Sequence, residues 1–303
     1  MMERTKHKTQ KIPTCVLTSD WHLREDQPTC RTDNFLAAQW KKVDFVSDLQ
    51  KEYDCMVIHS GDLYESWKPS PNLLSETIKH LPDKFYTIYG NHDLPQHNLK
   101  LAYRSGVYTL ATGEHLKILK GCHWGETPER PSWEWEFPQM NGETQYKEIL
   151  LWHVMTYQGK KPWPGCSDPM AAKLLRKYPE YDLIVTGHNH QSFTEEYEGR
   201  LLVNPGSLTR HKADQMDHKP CVYLWYAKTN TVEPVYLPIQ QGVISREHIE
   251  CIKERDDRID AFISKLDDDW EADISFEENL ERFEKKNNIR QSVIQIVHKA
   301  IEA

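Results

Sequence analysis

Short apolar runs that stop abruptly at polar residues recur along the first two-thirds of the chain. Cys15, Val16 and Leu17 lead into Asp20, Trp21 and His22, and "CMVIHSGD", "FYTIYGNHD", "EILLWHV" and "LIVTGHNH" repeat the arrangement. Each reads as a short buried β-strand. Between the first two, Leu36, Trp40, Val43, Val46 and Leu49 fall at helical spacing, which predicts an amphipathic helix. Strands alternating with helices predict an α/β fold (α+β type) with a mixed or parallel sheet covered on its faces. In such folds ligands gather beyond the carboxyl ends of the strands.

From about residue 200 the pattern turns to hairpins. "GRLLVNPGS" reads as a strand entering a Gly-containing turn, and "CVYLWYAKTNTVEPVYLPI" as two strands around "AKTNT". After Gly242 the chain becomes charged and helical. Ile249, Ile252, Ile259, Phe262, Ile263 and Leu266 form one stripe, and Ser275 with Glu278 offers a capping box that opens a second helix through Ile301. The expected organisation is therefore a tail over 1–11, a main domain over 12–241 and a C-terminal region of two helices over 242–303, packing on the domain or docking a partner.

Composition narrows the classes. With 303 residues, 38% hydrophobic and 11% aromatic, the chain has the means to bury a substantial core. No apolar run approaches the roughly 20 residues of a membrane span, and the polar start "MMERTKHKTQK" does not read as a signal peptide. Seven cysteines without a Cys-x-x-Cys pair argue against a disulfide framework or a zinc ribbon, so a reducing cytoplasm is expected. The net charge of −8 is the wrong sign for gripping nucleic acid by charge alone. A bound metal would supply the missing positive charge locally.

The polar residues at the strand ends form the candidate site: Asp20 and His22, Asp62, Asn91, His92 and Asp93, His153, and His188 and His190. Singly, each has an ordinary alternative; Asp20 suits a helix or turn cap, and Gly-Asp is common in turns. Asp20 and His22 would share one side of an extended segment, and one sheet edge would gather all five sets. Carboxylate, amide and imidazole without thiolate suit Mn²⁺, Fe²⁺, Zn²⁺, Ni²⁺ or Mg²⁺. There are enough donors for two ions, and Asp62 is the natural bridge. His123 competes with His153 for one position, while His59, Trp21 and Trp152 read as packing residues.

"SDWH", "GDLYE", "GNHD", a His after an apolar strand and "GHNH", in this order, resemble the calcineurin-like metallophosphoesterase superfamily over roughly residues 12–240. The resemblance implies a four-layer sandwich of two mixed β-sheets between helices, here with a C-terminal helical extension. It implies one metal on Asp20, His22, Asp62 and His190 and a second on Asp62, Asn91, His153 and His188. His92 would be the catalytic acid, oriented by Asp93.

The wording of the motifs resembles the DNA-repair exonuclease (SbcD-like) branch. That implies a manganese-dependent nuclease that cuts phosphodiesters in DNA and works with an SMC-like ATPase docked on C-terminal helices. Lys160, Lys161 and Trp163, or Trp133 and Trp135, would contact unstacked bases. The Asn-Pro-Gly-Ser turn after His190 also resembles small phosphodiesterases of the superfamily, so a small-molecule phosphodiesterase or phosphatase is the alternative. A non-catalytic scaffold of this fold is disfavoured because every ligand position is filled.

Overall fold

A computed structural model describes residues 12–128, 147–268 and 276–301. The expected N-terminal tail, Trp133, Trp135 and the Ser275 cap lie outside the described residues. The chain divides into two compact units, one ending at Ile244 and the other beginning at Ser245.

Among the described residues the first unit shows ten strands in two mixed sheets. The larger sheet uses β1 (Cys15–Thr18), β2 (Met56–His59), β3 (Phe85–Thr87) and β4 (Lys117–Ile118) as parallel neighbours. Antiparallel to β1 runs β9 (Cys221–Tyr226), followed by β10 (Thr231–Tyr236) at the edge. In the smaller sheet, β5 (Ile149–Trp152), β6 (Leu183–Thr186) and β8 (Arg200–Asn204) are parallel, and β7 (Phe193–Tyr197) closes the other edge antiparallel to β8.

Alternation along the strands explains the layers, because successive side chains leave opposite faces of a strand. Cys15, Leu17 and Ile58 of the larger sheet meet Leu151, Leu183, Val185 and Val203 of the smaller one in a core between the sheets. Val16, Val57 and Phe85 point the other way, against residues of α1 (Phe35–Tyr53), α2 (Pro71–His80) and α3 (Gly106–Thr112). Leu150, Ile184 and Leu202 cover the outer face of the smaller sheet with Leu174 and Leu175 of α4 (Ala171–Lys177). The result is the expected four-layer sandwich of two mixed sheets between helices. Buried on both faces, these parallel strands read as continuous apolar runs.

Helix α1 forms where predicted, capped by the Asn34 side chain, but its stripe is rotated. Phe35, Gln39, Lys42, Val43, Val46 and Leu49 are buried, while Leu36 and Trp40 are only partly covered. Buried polar partners decide the difference: Gln39 exchanges hydrogen bonds with the Arg24 backbone, which periodicity of apolar residues does not register.

The second unit corrects the expectation of two helices. It holds α5 (Glu247–Asp268), α6 (Phe276–Asn287) and α7 (Gln291–Ile301). The expected second helix breaks at Asn288, which adopts a left-handed φ of 49°, a conformation Asn tolerates at helix ends. Leu280 and Phe283 of α6 then pack against Val293 and Val297 of α7. Of the predicted α5 stripe, Ile249 and Ile252 are exposed; the side chains of Phe262, Ile263 and Leu266 are outside the description. Among the described residues no helix is long and apolar enough to cross a membrane, and the described cysteines are all free thiols.

Candidate metal centre

The carboxyl ends of β1, β2, β3, β5 and β6 converge, and the predicted residues of all five meet there. Asp20 and His22 do so for a reason other than the one expected. Strand β1 ends at Thr18, and Asp20 (φ 49°) and His22 (φ 47°) are left-handed rather than extended. Asp62 (φ 60°) and His188 (φ 74°) share this conformation. It costs a non-glycine residue on the order of 1–3 kcal/mol, and such strain concentrates at functional sites. The backbone of this turn is held by Asp20 N–H donating to Gly61 O (3.1 Å) and His22 N–H to Asp62 O (3.1 Å). Asp20 caps no helix; its carboxylate accepts from the Ser19 hydroxyl (2.5 Å) and the His188 N–H (3.0 Å).

Two donor sets result. In the first, His22 Nε2 lies 3.1 Å from His190 Nε2, 3.8 Å from Asp20 Oδ1 and 3.7 Å from Asp62 Oδ2. In the second, His153 Nε2 lies 3.2 Å from both Asp62 Oδ2 and Asn91 Oδ1, and His188 Nδ1 is 2.8 Å from the same Asn91 oxygen. Asp62 Oδ2 belongs to both sets, while Oδ1 accepts from the His92 N–H (2.8 Å). Ligand bonds of about 2.1 Å at right angles put neighbouring donors about 3 Å apart. The spacing, the nitrogen-and-oxygen chemistry and the shared carboxylate therefore fit two divalent cations.

Charge supports the same fit. Asp20, His22, Asp62 and His153 are buried, whereas His92, His188 and His190 line the more open side. Burial favours neutral forms, yet His22, with His153 and His190 behind it, draws the Asp20 carboxyl down to about 2 against the neighbouring Asp62 carboxylate, and His153 and His22 hold the Asp62 carboxyl well below the usual range. Against the same burial, the Asp20, Glu65 and Asp62 carboxylates hold His22 up at about 10, and Asp62 holds His153 at about 9. Protons here occupy the role that cations would take, and cation binding expels them.

His92 lies beside this cluster, its ring 4.7 Å from that of His22. The expected orientation by Asp93 is corrected. His92 Nδ1 is 2.8 Å from the Glu65 backbone carbonyl, to which it donates, and this contact aims the ring. Asp93 is fully buried beneath, and its carboxylate accepts from the N–H groups of Asp62 (2.8 Å), Leu63 (3.0 Å), Tyr64 (3.3 Å) and Gly90 (3.0 Å). It locks the turn that carries Asp62. Gly61 supplies that turn with a φ of 99°, and a Cβ on Gly90 would collide with the Asp62 carboxylate.

His153, not His123, reaches the cluster: His123 Nδ1 accepts from the Tyr89 N–H (3.1 Å) under the loop. His59 is packed, with Nδ1 2.8 Å from Thr87 Oγ1, and Trp21 is fully buried on Phe85. Two residues at the site had no reading from sequence. Glu65 Oε2 lies 3.0 Å from His22 Nδ1, an ionic contact rather than an aligned hydrogen bond. His211 places its ring 5.1 Å from those of His22 and His190. Glu65 stood within the "GDLYE" motif; His211 gave no signal beyond following the Pro-Gly-Ser turn.

Beside His188 and His190 opens a cavity of about 680 Å³, walled in part by Trp163, Lys212, Asp214, Lys219 and Tyr236. Of the predicted base contacts, Trp163 lines it; Lys161 instead donates to the Cys166 carbonyl (2.7 Å), and Lys160 is exposed on the same loop.

A search of curated protein sequences finds no match. Solved structures that the chain matches include an archaeal phosphodiesterase (15% identity, TM-score 0.38, 74% of this chain and 99% of that one). A metallophosphoesterase from Sphaerobacter thermophilus (11%, TM-score 0.35, 75% and 89%) and a Vps29 variant from Entamoeba histolytica (14%, TM-score 0.32, 74% and 99%) are others. The family model for the calcineurin-like phosphoesterase superfamily domain matches residues 14–226. The chain thus belongs to the calcineurin-like phosphoesterase superfamily, a family of metal-dependent phosphoester hydrolases.

Proposed function

We propose that this protein is a two-metal phosphodiesterase acting on DNA, with manganese as the working ion. The observation that carries the two-metal reading is Asp62 Oδ2, which lies 3.7 Å from His22 Nε2 and 3.2 Å from His153 Nε2 and so joins two donor sets through one oxygen. Asp20, His22, Asp62 and His190 would hold one ion; Asp62, Asn91, His153 and His188 the other. Such ions neutralise phosphoryl oxygens and lower the pKa of attacking water toward about 7.

The chain's own residues supply the rest. Asp20 and Asp62 bring two negative charges to a site that two divalent ions would make cationic, and neutral Asn91 leaves that charge uncancelled. The Glu65 carbonyl accepts a hydrogen bond from His92 Nδ1–H, which aims Nε2 away from Glu65. From there a protonated His92 donates to the departing oxygen of the ester, a step that contributes roughly 10²–10⁴-fold. Trp163, half-exposed at the cavity wall, offers a face for an unstacked base, and Lys212 and Lys219 offer charge for flanking phosphates. An SMC-like ATPase bound through the C-terminal helices belongs to this reading; co-purification with such an ATPase tests it.

The bounded cavity favours a second reading. Its volume suits a small ligand, and its lysines are matched by Asp214 and Asp217. A small-molecule phosphodiesterase or phosphatase would use the same metals. Labelled single- and double-stranded DNA, compared with bis- and mono-p-nitrophenyl phosphate in Mn²⁺, separates the two. DNA cleavage abolished by chelator is expected. Hydrolysis of the small esters alone would transfer the assignment to the second reading, and no hydrolysis of any would leave a scaffold.

A further inference from the structure

We propose that His211 is an additional metal-binding side chain, a third imidazole that joins His22 and His190 on one ion. This rests on the reading of the cluster as a metal centre and goes beyond the seven residues assigned to it above.

One ring nitrogen from each of His22, His190 and His211 lies within 4.8 Å of the other two. The His211 ring is buried and sits 5.1 Å from both neighbours, tilted against His22 and edge-on to His190. Its Nδ1 lies 3.3 Å from Thr209 Oγ1, so Nε2 would be the nitrogen offered to the ion. A metal-binding imidazole has this form, with one nitrogen held by a neighbour and the other presented to the ion.

The segment that delivers His211 is built, not loose. The buried Gln215 side chain accepts from the His211 N–H (2.8 Å) and the Lys212 N–H (3.0 Å), and donates to Ser207 Oγ (2.7 Å). Ser207 in turn donates to the Thr209 carbonyl (2.9 Å), and the Leu208 N–H donates to the Asp20 carbonyl (3.2 Å). His211 is thereby tied to the backbone of a residue in the first donor set.

The consequence is selectivity. A third imidazole makes the first set richer in nitrogen than the second, which holds two imidazoles, an amide and the shared carboxylate. Imidazole-rich sites prefer Zn²⁺, Fe²⁺, Co²⁺ or Ni²⁺ to Mg²⁺ or Mn²⁺. The two ions would then differ, with a nitrogen-preferring ion held by His22, His190 and His211 and the working manganese by the second set.

Titration of the full chain with Co²⁺ and with Mn²⁺, followed by calorimetry and by the visible spectrum of Co²⁺, tests this. In His211→Ala and His211→Gln one of two Co²⁺ sites is expected to weaken by about tenfold or more, with an altered Co²⁺ spectrum and a smaller change for Mn²⁺. Two Co²⁺ sites of wild-type affinity and spectrum in both variants would overturn the role of His211 and leave the phosphodiesterase reading intact. A wild-type chain that binds no ion would overturn both. Should the variants fail to fold, ¹⁵N-histidine spectra of wild type with Zn²⁺ decide: five shifted imidazoles are expected, and four would refute the proposal.

Discussion

Glu65 Oε2 sits 3.0 Å from His22 Nδ1, on the side of the ring opposite the nitrogen that faces His190. Glu65 therefore places a carboxylate behind the His22 ring, and its backbone carbonyl separately aims His92. Carboxylates behind metal-binding imidazoles set both tautomer and orientation. Glu65→Gln is expected to weaken metal binding about 10–100-fold while His92, held by the backbone, keeps its place. Calorimetric titration with Mn²⁺ checks this; unchanged affinity would remove Glu65 from the site's support.

Asp62 and His92 should separate binding from turnover. Asp62→Ala removes the oxygen common to both donor sets and is expected to lose metal and activity together. His92→Ala should bind metal as wild type does and lose roughly 10²–10⁴-fold in turnover. Metal analysis alongside the rate on a phosphodiester reads both effects. A fully active His92→Ala protein would withdraw the acid role from His92.

Gly90→Ala tests the turn that carries Asp62. The new Cβ has no room beside the Asp62 carboxylate and backbone nitrogen, and Asp93 anchors both segments. Overpacking of this kind costs about 1–3 kcal/mol. A lower melting temperature and weaker Mn²⁺ binding are expected. A variant that melts and binds like wild type would show that the turn yields easily.

Lys42 gives the unit a pH dependence of its own. On α1 it is 4% exposed; burial chiefly, and repulsion from Arg31 and Arg210, push its ammonium down to about 7 from 10.5. The unfolded chain then holds the proton more tightly than the folded one between those values. Its contribution to stability is complete above about pH 10.5 and falls by up to about 1.4 kcal/mol per unit as pH drops toward 7; below that the slope vanishes. Lys42→Met is expected to be more stable at pH 7 and to lack this slope. Urea unfolding of both proteins at pH 7 and pH 9 measures it, and parallel slopes would rule Lys42 out.

The strands were legible because they are buried on both faces: "CVLT", "MVIH", "ILLW" and "LIVT" all form where apolar runs placed them. Other elements obeyed signals that an apolar pattern misses. Helix α1 turned its stripe to bury Gln39 and Lys42, and the α6–α7 break followed Asn288, whose Asn-Asn setting in "KKNNIR" was the available clue.

Residue type and order along the chain determined that Asp20, His22, Asp62 and Asn91 follow parallel strands of one sheet and His153, His188 and His190 follow parallel strands of the other; a single sheet edge does not gather them, and the packing of the two sheets brings their carboxyl ends together. Tertiary structure alone decided how they face one another. Left-handed turns converged Asp20 on His22 where an extended strand was expected, Asp93 became an anchor for backbone N–H groups, and Glu65 and His211 arrived from loops. A side chain's chemistry belongs to its residue, but the direction in which it is offered depends on hydrogen bonds made by segments remote in the chain.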